Sequence, residues 1–300
     1  AETTSAGAGA IWEYPPFQVQ PQERAKRWVL ASLHCFAACA AAARGGASGV
    51  RMRRSHYLFR SAARAEEAYG PLEEWRAMVP GFREGPPPRG LAREGMFSYA
   101  FSYVAPVVNM RRYLSWFTEA VGSLPGVRFH NAELAGLDGV AALRSRMGAD
   151  LVVNCLGLGA GAVFGDTRVY GVRGDLVYVL APGAEERHGF AAVSDEDDAE
   201  GHLTYAVAQG DGVVALAGTA RRVAAEELEA GYRPRRDPAV DGETDRQILA
   251  RCAAALPGVL SKPGSRPGAA PVVVGRWSGA RPQREGGVRL ELEELAMPGR

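Results

Sequence analysis

The 300-residue sequence is short of most features that would place it in a specialised class. Its four cysteines, Cys35, Cys39, Cys155 and Cys252, show neither CxxC spacing nor neighbouring histidines, which excludes the usual zinc sites and a disulfide framework. They fall in apolar segments, so inert, buried thiols in a reduced chain are expected. The histidines, His34, His56, His130, His188 and His202, form no HxxxH or HExxH pair, so no metal is expected. No apolar run approaches the roughly 18 residues of a membrane span. Lys+Arg total 35 against 34 Asp+Glu, a formal charge of +1, which provides no general attraction for nucleic acid or an anionic membrane. A repeat of fixed period is also missing, which excludes a solenoid. What remains, 47% hydrophobic and 23% charged residues, is the composition of a soluble globular chain with room for two cores.

Periodicity organises that composition. Residues Arg24 to Arg44 read as a helix, with Trp28, Val29, Leu33, Phe36 and Ala40 at helical spacing, Pro21 at the entrance and Gly45-Gly46 as the stop. Arg111 to Val121 reads as another, with Tyr113, Leu114, Phe117 and Val121 on one face, Asn109 near the N-cap and Gly122 at the end. Strands are predicted over His56 to Arg60, Val127 to Phe129, Ala149 to Cys155, Asp175 to Leu180, Thr204 to Ala208 and Val213 to Ala217. The run Leu151-Val152-Val153 suits a strand buried on both faces of a parallel sheet. By contrast, Gln209-Gly210-Asp211-Gly212 has the composition of a hairpin turn between its flanking strands. That mixture favours an α/β domain interleaved with an α+β domain. The acidic run Ser194 to Asp198 reads as a solvated loop.

Two segments carry chemical signals. Asn154-Cys155-Leu156-Gly157-Leu158-Gly159-Ala160-Gly161 runs from a predicted strand into a glycine-rich turn, where free N–H groups could cradle a phosphate or cofactor, or simply form a tight turn. Its GxGxG spacing departs from the GxGxxG dinucleotide fingerprint. The stretch Gly275 to Glu291 places Arg276, Arg281, Arg284 and Arg289 among glycines and a proline, directly after Pro271-Val272-Val273-Val274. A guanidinium held beside packed structure calls for a carboxylate or phosphate. Either a structural ion pair or a ligand can supply it.

Ordered motifs narrow the choice. "TTSAGAGAIWEYPP" from Thr3, "NMRRYLSWF" from Asn109, "VVNCLGLGA" from Val152, "GVRGDLVYV" from Gly171, "LAGTAR" from Leu216 and "GARPQREGGVRLE" from Gly279 resemble, in order and approximate spacing, the D-amino-acid oxidase family. The resemblance covers essentially the whole chain. It implies an incomplete α/β FAD-binding domain of the glutathione-reductase-like Rossmann type, interleaved with an α+β substrate domain on a mixed, largely antiparallel sheet. Residues 1–48, 111–170 and 279–300 would belong to the FAD-binding domain, and 49–110 and 171–278 to the substrate domain.

The implied activity is oxidative deamination of D-amino acids, with FAD as hydride acceptor and O2 as reoxidant, yielding 2-oxo acid, ammonia and H2O2. By resemblance Arg281, in "GARP", holds the substrate α-carboxylate, and Tyr205 reaches the same group. Otherwise Arg281 is a structural cation and Tyr205 a strand tyrosine packed on the sheet. The family's other active-site tyrosine falls at Gly201, which leaves substrate preference open. Arg284 and Arg289 are expected in structural pairs. Flavin-contacting positions match Thr3, Thr4, Gly9, Ala10, Ile11, Leu134, Cys155, Leu156 and Gly157, mostly through backbone atoms. The threonines also read as turn residues, and Leu134 as core. No protein side chain is required as a catalytic acid or base.

The family's opening strand with its GxGxxG loop, and its terminal "HxxGHGGxG"-like loop, have no counterpart in these residues, so a truncated chain with weakened FAD affinity is expected. Alternatives are an FAD oxidase of the glycine/sarcosine or D-aspartate type, and a non-catalytic remnant unable to hold FAD. The cytoplasm or the peroxisome is the expected compartment, and a homodimer stays open.

Overall fold

A computed structural model describes residues 3–13, 21–43, 46–184, 189–193, 204–229, 242–260 and 271–294. Gly201 and the acidic run 194–198 lie outside the described residues. The architecture is a ten-stranded, largely antiparallel sheet with helices on both faces, in the order β1-β4-β2-β6-β7-β8-β5-β10. The strands are β1 (Gly9–Ile11), β2 (Val50–Phe59), β3 (Arg83–Gly85), β4 (Tyr99–Asn109), β5 (Val169–Leu180), β6 (Phe190–Val193), β7 (Thr204–Gly210), β8 (Val213–Ala217), β9 (Arg221–Arg222) and β10 (Val272–Arg284). The β3 strand joins β4, β9 joins β5, and the β2–β6 pair runs parallel. The mixed, largely antiparallel character expected from the sequence is present.

Side chains alternate across the sheet, and the two faces are covered differently. One carries Tyr57, Phe59, Phe101, Tyr103, Val207 and Ala215, packed with Trp12, with Leu33 of α1 (Gln22–Ala42), Ala65 of α2 (Ala62–Tyr69), and Leu72 and Trp75 of α3 (Leu72–Met78). The other carries Leu58, Val177, Val179 and Leu216 beneath two later helices, which contribute Ile248, Cys252, Ala255 and Val259.

Local signals behave as their chemistry dictates. Helix α4 (Met110–Gly122) starts at Asn109, whose side chain accepts from Arg112 N at 3.3 Å, and Asn109 Nδ2 also donates to Gln209 O at 2.9 Å. One cap thus ties β4 and α4 to the β7–β8 hairpin. The tip residue Asp211 has φ +57° between Gly210 and Gly212, also at positive φ. Asp tolerates the left-handed region that a tight hairpin needs.

The expected strands Val127–Phe129 and Ala149–Cys155 do not form. Leu151, Val152 and Val153 are 63%, 43% and 71% exposed, and Phe129 is 63% exposed. An isolated extended segment has no ladder to satisfy its backbone, and among the described residues no strand pairs with either run. The remaining helices are α5 (Gly136–Met147), α6 (Ala160–Phe164), α7 (Ala225–Glu229), α8 (Gly242–Ala255) and α9 (Pro257–Leu260). The thiols also differ from expectation: Cys252 is buried, Cys39 is intermediate, and Cys35 and Cys155 are exposed. Cys155 follows the unpaired 151–153 run, so no packed strand shelters it. Among the described residues, no helix is long and apolar enough to cross a membrane.

Candidate active site

Strand register gathers distant residues into one row. Tyr57, Ala192, Tyr205, Ala217, Leu176 and Trp277 are successive cross-strand partners through β2, β6, β7, β8, β5 and β10, so they share a face. Along β10, Gly279 and Arg281 follow Trp277 at period two, which puts the Arg281 side chain on that face as well. Gly174 opposes Gly279. A Cβ built at Gly174 would run into the Arg281 guanidinium, so the missing side chain is what lets the guanidinium lie flat on the sheet.

The four arginines of the Gly275–Glu291 stretch now separate. Arg276 pairs with Asp245 of α8, Arg284 with Asp166 at 2.9 Å, and Arg289 with Glu291 at 2.6 Å and with Glu293. Asp166 is held below the usual carboxylate range, chiefly by its hydrogen bond from Arg284. Among the described residues, Arg281 has no carboxylate partner. Its Nη1 donates to Thr219 O at 3.2 Å, and it hydrogen-bonds the Tyr205 side chain. Burial raises the affinity of Tyr205 for its proton, while the charge and hydrogen bond of Arg281 act the other way.

A second layer fixes Thr219. Its hydroxyl donates to Asp175 Oδ2 at 2.7 Å and accepts from Asp175 N at 2.8 Å. Asp175 in turn accepts from Arg173 Nε at 2.9 Å. Sequence reasoning missed Gly174, Asp175 and Thr219. "GVRGDLVYV" and "LAGTAR" contain all three, but their relation to Arg281 exists only once β5 pairs with β8 and β10.

The N-terminal segment lies against the same strand. Thr4 Oγ1 donates to Ala280 O at 3.1 Å, the 3-10 turn Thr4–Gly7 packs its Gly7 against the Trp277 indole, and Tyr178 Oη donates to Gly7 O at 2.9 Å. Burial, with Tyr205 adding to it, pushes Tyr178 up to about 12, so this donor keeps its proton. Gly9 sits over Ala215, Val207 and Leu176, while Ala10 and Ile11 pair with Val108 and Val107 of β4. On the other side of β10, Gly157, at φ +58°, approaches Pro282 at 3.6 Å from a built Cβ. Cys155 and Leu156 lead into that turn and are exposed. Thr3 is exposed beside Thr4. Leu134 is half-buried against Gly139 in α5, with no described contact to Arg281.

Thr4 and Gly157 therefore flank Arg281 through its two chain neighbours, Ala280 and Pro282. Among the described residues there is no strand–GxGxxG–helix cradle for a pyrophosphate. A concavity of about 410 Å³ lies elsewhere, lined by Arg24, Arg168, Arg284 and Arg289. Arg284 and Arg289 are already matched by carboxylates there.

Comparison with known proteins identifies the family. The family described as FAD dependent oxidoreductase (DAO) matches residues 1–293. A D-amino-acid oxidase of Rubrobacter xylanophilus is 34% identical over 98% of this chain and 75% of its own length. One from Streptomyces coelicolor is 31% identical over 98% and 76%. The crystal structure of glycine oxidase from Geobacillus kaustophilus superposes with a TM-score of 0.72 at 18% identity, covering 99% of this chain and 78% of that one; at that identity it speaks for the fold. The chain belongs to the FAD-dependent oxidoreductase family that contains the D-amino-acid oxidases, and it is an FAD-dependent amino-acid oxidase in family and fold.

Proposed function

We propose that the chain oxidises D-amino acids to 2-oxo acids, with Arg281 and Tyr205 holding the substrate α-carboxylate. The observation that carries this reading is that Arg281 has no carboxylate partner among the described residues, whereas the other three arginines of the stretch all have one. A fork of two N–H groups fixes a carboxylate's position and its plane. Tyr205, kept protonated by burial, adds a hydroxyl donor to the same group. Neither residue has to move a proton, so both act by orienting the substrate.

Thr3, Thr4, Gly9, Ala10, Ile11, Cys155, Leu156 and Gly157 would line the flavin, and Leu134 joins them by resemblance alone. When bound, FAD supplies the hydride acceptor and is reoxidised by O2 to give H2O2. Gly174, Thr219 and the segment tied down through Tyr178 and Thr4 hold Arg281 against that position. The division into 1–48, 111–170 and 279–300 for cofactor and 49–110 and 171–278 for substrate belongs to the same reading, as does a cytoplasmic or peroxisomal location.

The test is peroxide release by the 300-residue chain, with FAD supplied, from enantiomeric pairs of amino acids. Oxidation of D-enantiomers alone is expected. Turnover confined to L-enantiomers, or to glycine and sarcosine, would reject the reading.

A further inference from the structure

Glu13 is a carboxylate in an unusual place, and orientation of the α-carboxylate gives it no role. It follows Trp12, whose Nε1 donates to Val29 O of α1 at 2.7 Å and whose ring meets Tyr103 edge-on at 5.9 Å. That anchoring turns Glu13 over the sheet face that carries Arg281. Tyr69, at the end of α2, donates its hydroxyl to Glu13 Oε1 at 2.9 Å. Among the described residues, no donor reaches Oε2. The Glu13 charge is felt by both Tyr57 and Tyr205. Those two tyrosines stand two strands apart in the cross-sheet row, with only the methyl group of Ala192 between them. Tyr205 thus feels Glu13 on one side and the hydrogen-bonding Arg281 on the other.

On the reading that Arg281 grips the α-carboxylate, we propose that Glu13 receives the cationic end of the substrate side chain, so that the preferred substrates are D-amino acids ending in a guanidinium or ammonium group. A half-buried carboxylate with an oxygen that no described donor reaches favours an incoming cation over a neutral isostere, because a neutral group leaves the charge uncompensated. Burial pushes Glu13 up to about 7 against the opposing Tyr69 hydrogen bond, which is the mark of a carboxylate still short of a partner. Tyr57, Tyr69 and Tyr205 face it from β2, α2 and β7, and none of them is a cation. The α-ammonium is the less suitable occupant: hydride loss from Cα needs the amine lone pair, and an adjacent carboxylate would hold that amine protonated.

D-Arginine and D-citrulline match in shape and differ in side-chain charge, so they form the test pair. With FAD supplied, kcat/KM for D-arginine should exceed that for D-citrulline by about tenfold or more, and Glu13→Gln should bring the two within about threefold. Tyr69→Phe, which removes the hydrogen bond and keeps the charge, should preserve the preference. Equal rates in the unsubstituted chain, or a Glu13→Gln change that lowers both substrates alike, would overturn the assignment. Calorimetric titration of the same proteins with both ligands reads binding without turnover. Tighter D-arginine binding that depends on Glu13, without peroxide, would sink the oxidase reading and keep Glu13's role; peroxide from both without discrimination would do the reverse.

Discussion

Arg281 owes its position to residues in and beside the neighbouring strands. Gly174 leaves space beneath the guanidinium, and Thr219, clamped by Asp175, supplies the carbonyl that orients it. Gly174 has no positive φ, so its backbone accepts alanine; the added methyl instead displaces the flexible end of Arg281. Gly174→Ala should raise KM by about tenfold while moving Tm by no more than a few degrees, since one misplaced orienting group costs binding rather than fold. An unchanged KM with a large loss of Tm would show that this glycine serves packing alone. Arg281 stood out in the sequence because it lies in the motif GARP, and Tyr205 because it matches a single family position. The clamp did not, because its contacts join strands more than forty residues apart and no local pattern encodes them. The inert thiols were misread for the opposite reason: a locally apolar neighbourhood says nothing about whether a partner strand covers it.

Elements followed their local signals wherever those signals were self-contained. The α1 and α4 helices, the β7–β8 hairpin and β8 itself stand within a few residues of their predicted bounds, because periodicity, caps and turn residues act within a few positions of one another. Asn109 shows how much one cap can carry, since it closes α4 and also reaches Gln209 across the sheet. Asn109→Ala should therefore cost about 1–2 kcal/mol, a cap plus a neutral hydrogen bond, read as a lower urea midpoint at unchanged slope. No shift in midpoint would contradict that dual role. The runs 127–129 and 151–153 went the other way: their composition states that they could be buried strands, and only a neighbouring edge could make them so.

Across the whole molecule, those runs and Val288, Leu290 and Leu292 leave large apolar side chains exposed, the kind of surface to which apolar dyes bind. The 300-residue chain should enhance and blue-shift the fluorescence of anilinonaphthalene sulfonate under native conditions; no enhancement would show that these side chains are covered in solution. Stability should also carry the signature of Glu13. Its folded carboxyl binds protons more tightly than an ordinary glutamate, whose value is 4.5, and is pushed up to about 7, so the fold is favoured by protonation. That stabilisation is complete below pH 4.5 and disappears as pH rises through 7, a span worth on the order of 3 kcal/mol. Glu13→Gln should flatten the slope and raise stability at pH 8; an identical pH profile in the variant would place the slope elsewhere. The general plan, a largely antiparallel sheet gathering far-apart motifs onto one face, followed from the order of the motifs, whereas the charge balance across that face became visible only in three dimensions.

Replacing Arg281 with alanine tests the central claim most directly. With FAD supplied and a D-amino acid as substrate, loss of the guanidinium that has no carboxylate partner among the described residues should cut kcat/KM by about 30-fold or more, equivalent to the roughly 2–5 kcal/mol of a desolvated charge pair. A decrease smaller than about threefold, under ~0.7 kcal/mol, would mean that the carboxylate is held somewhere else.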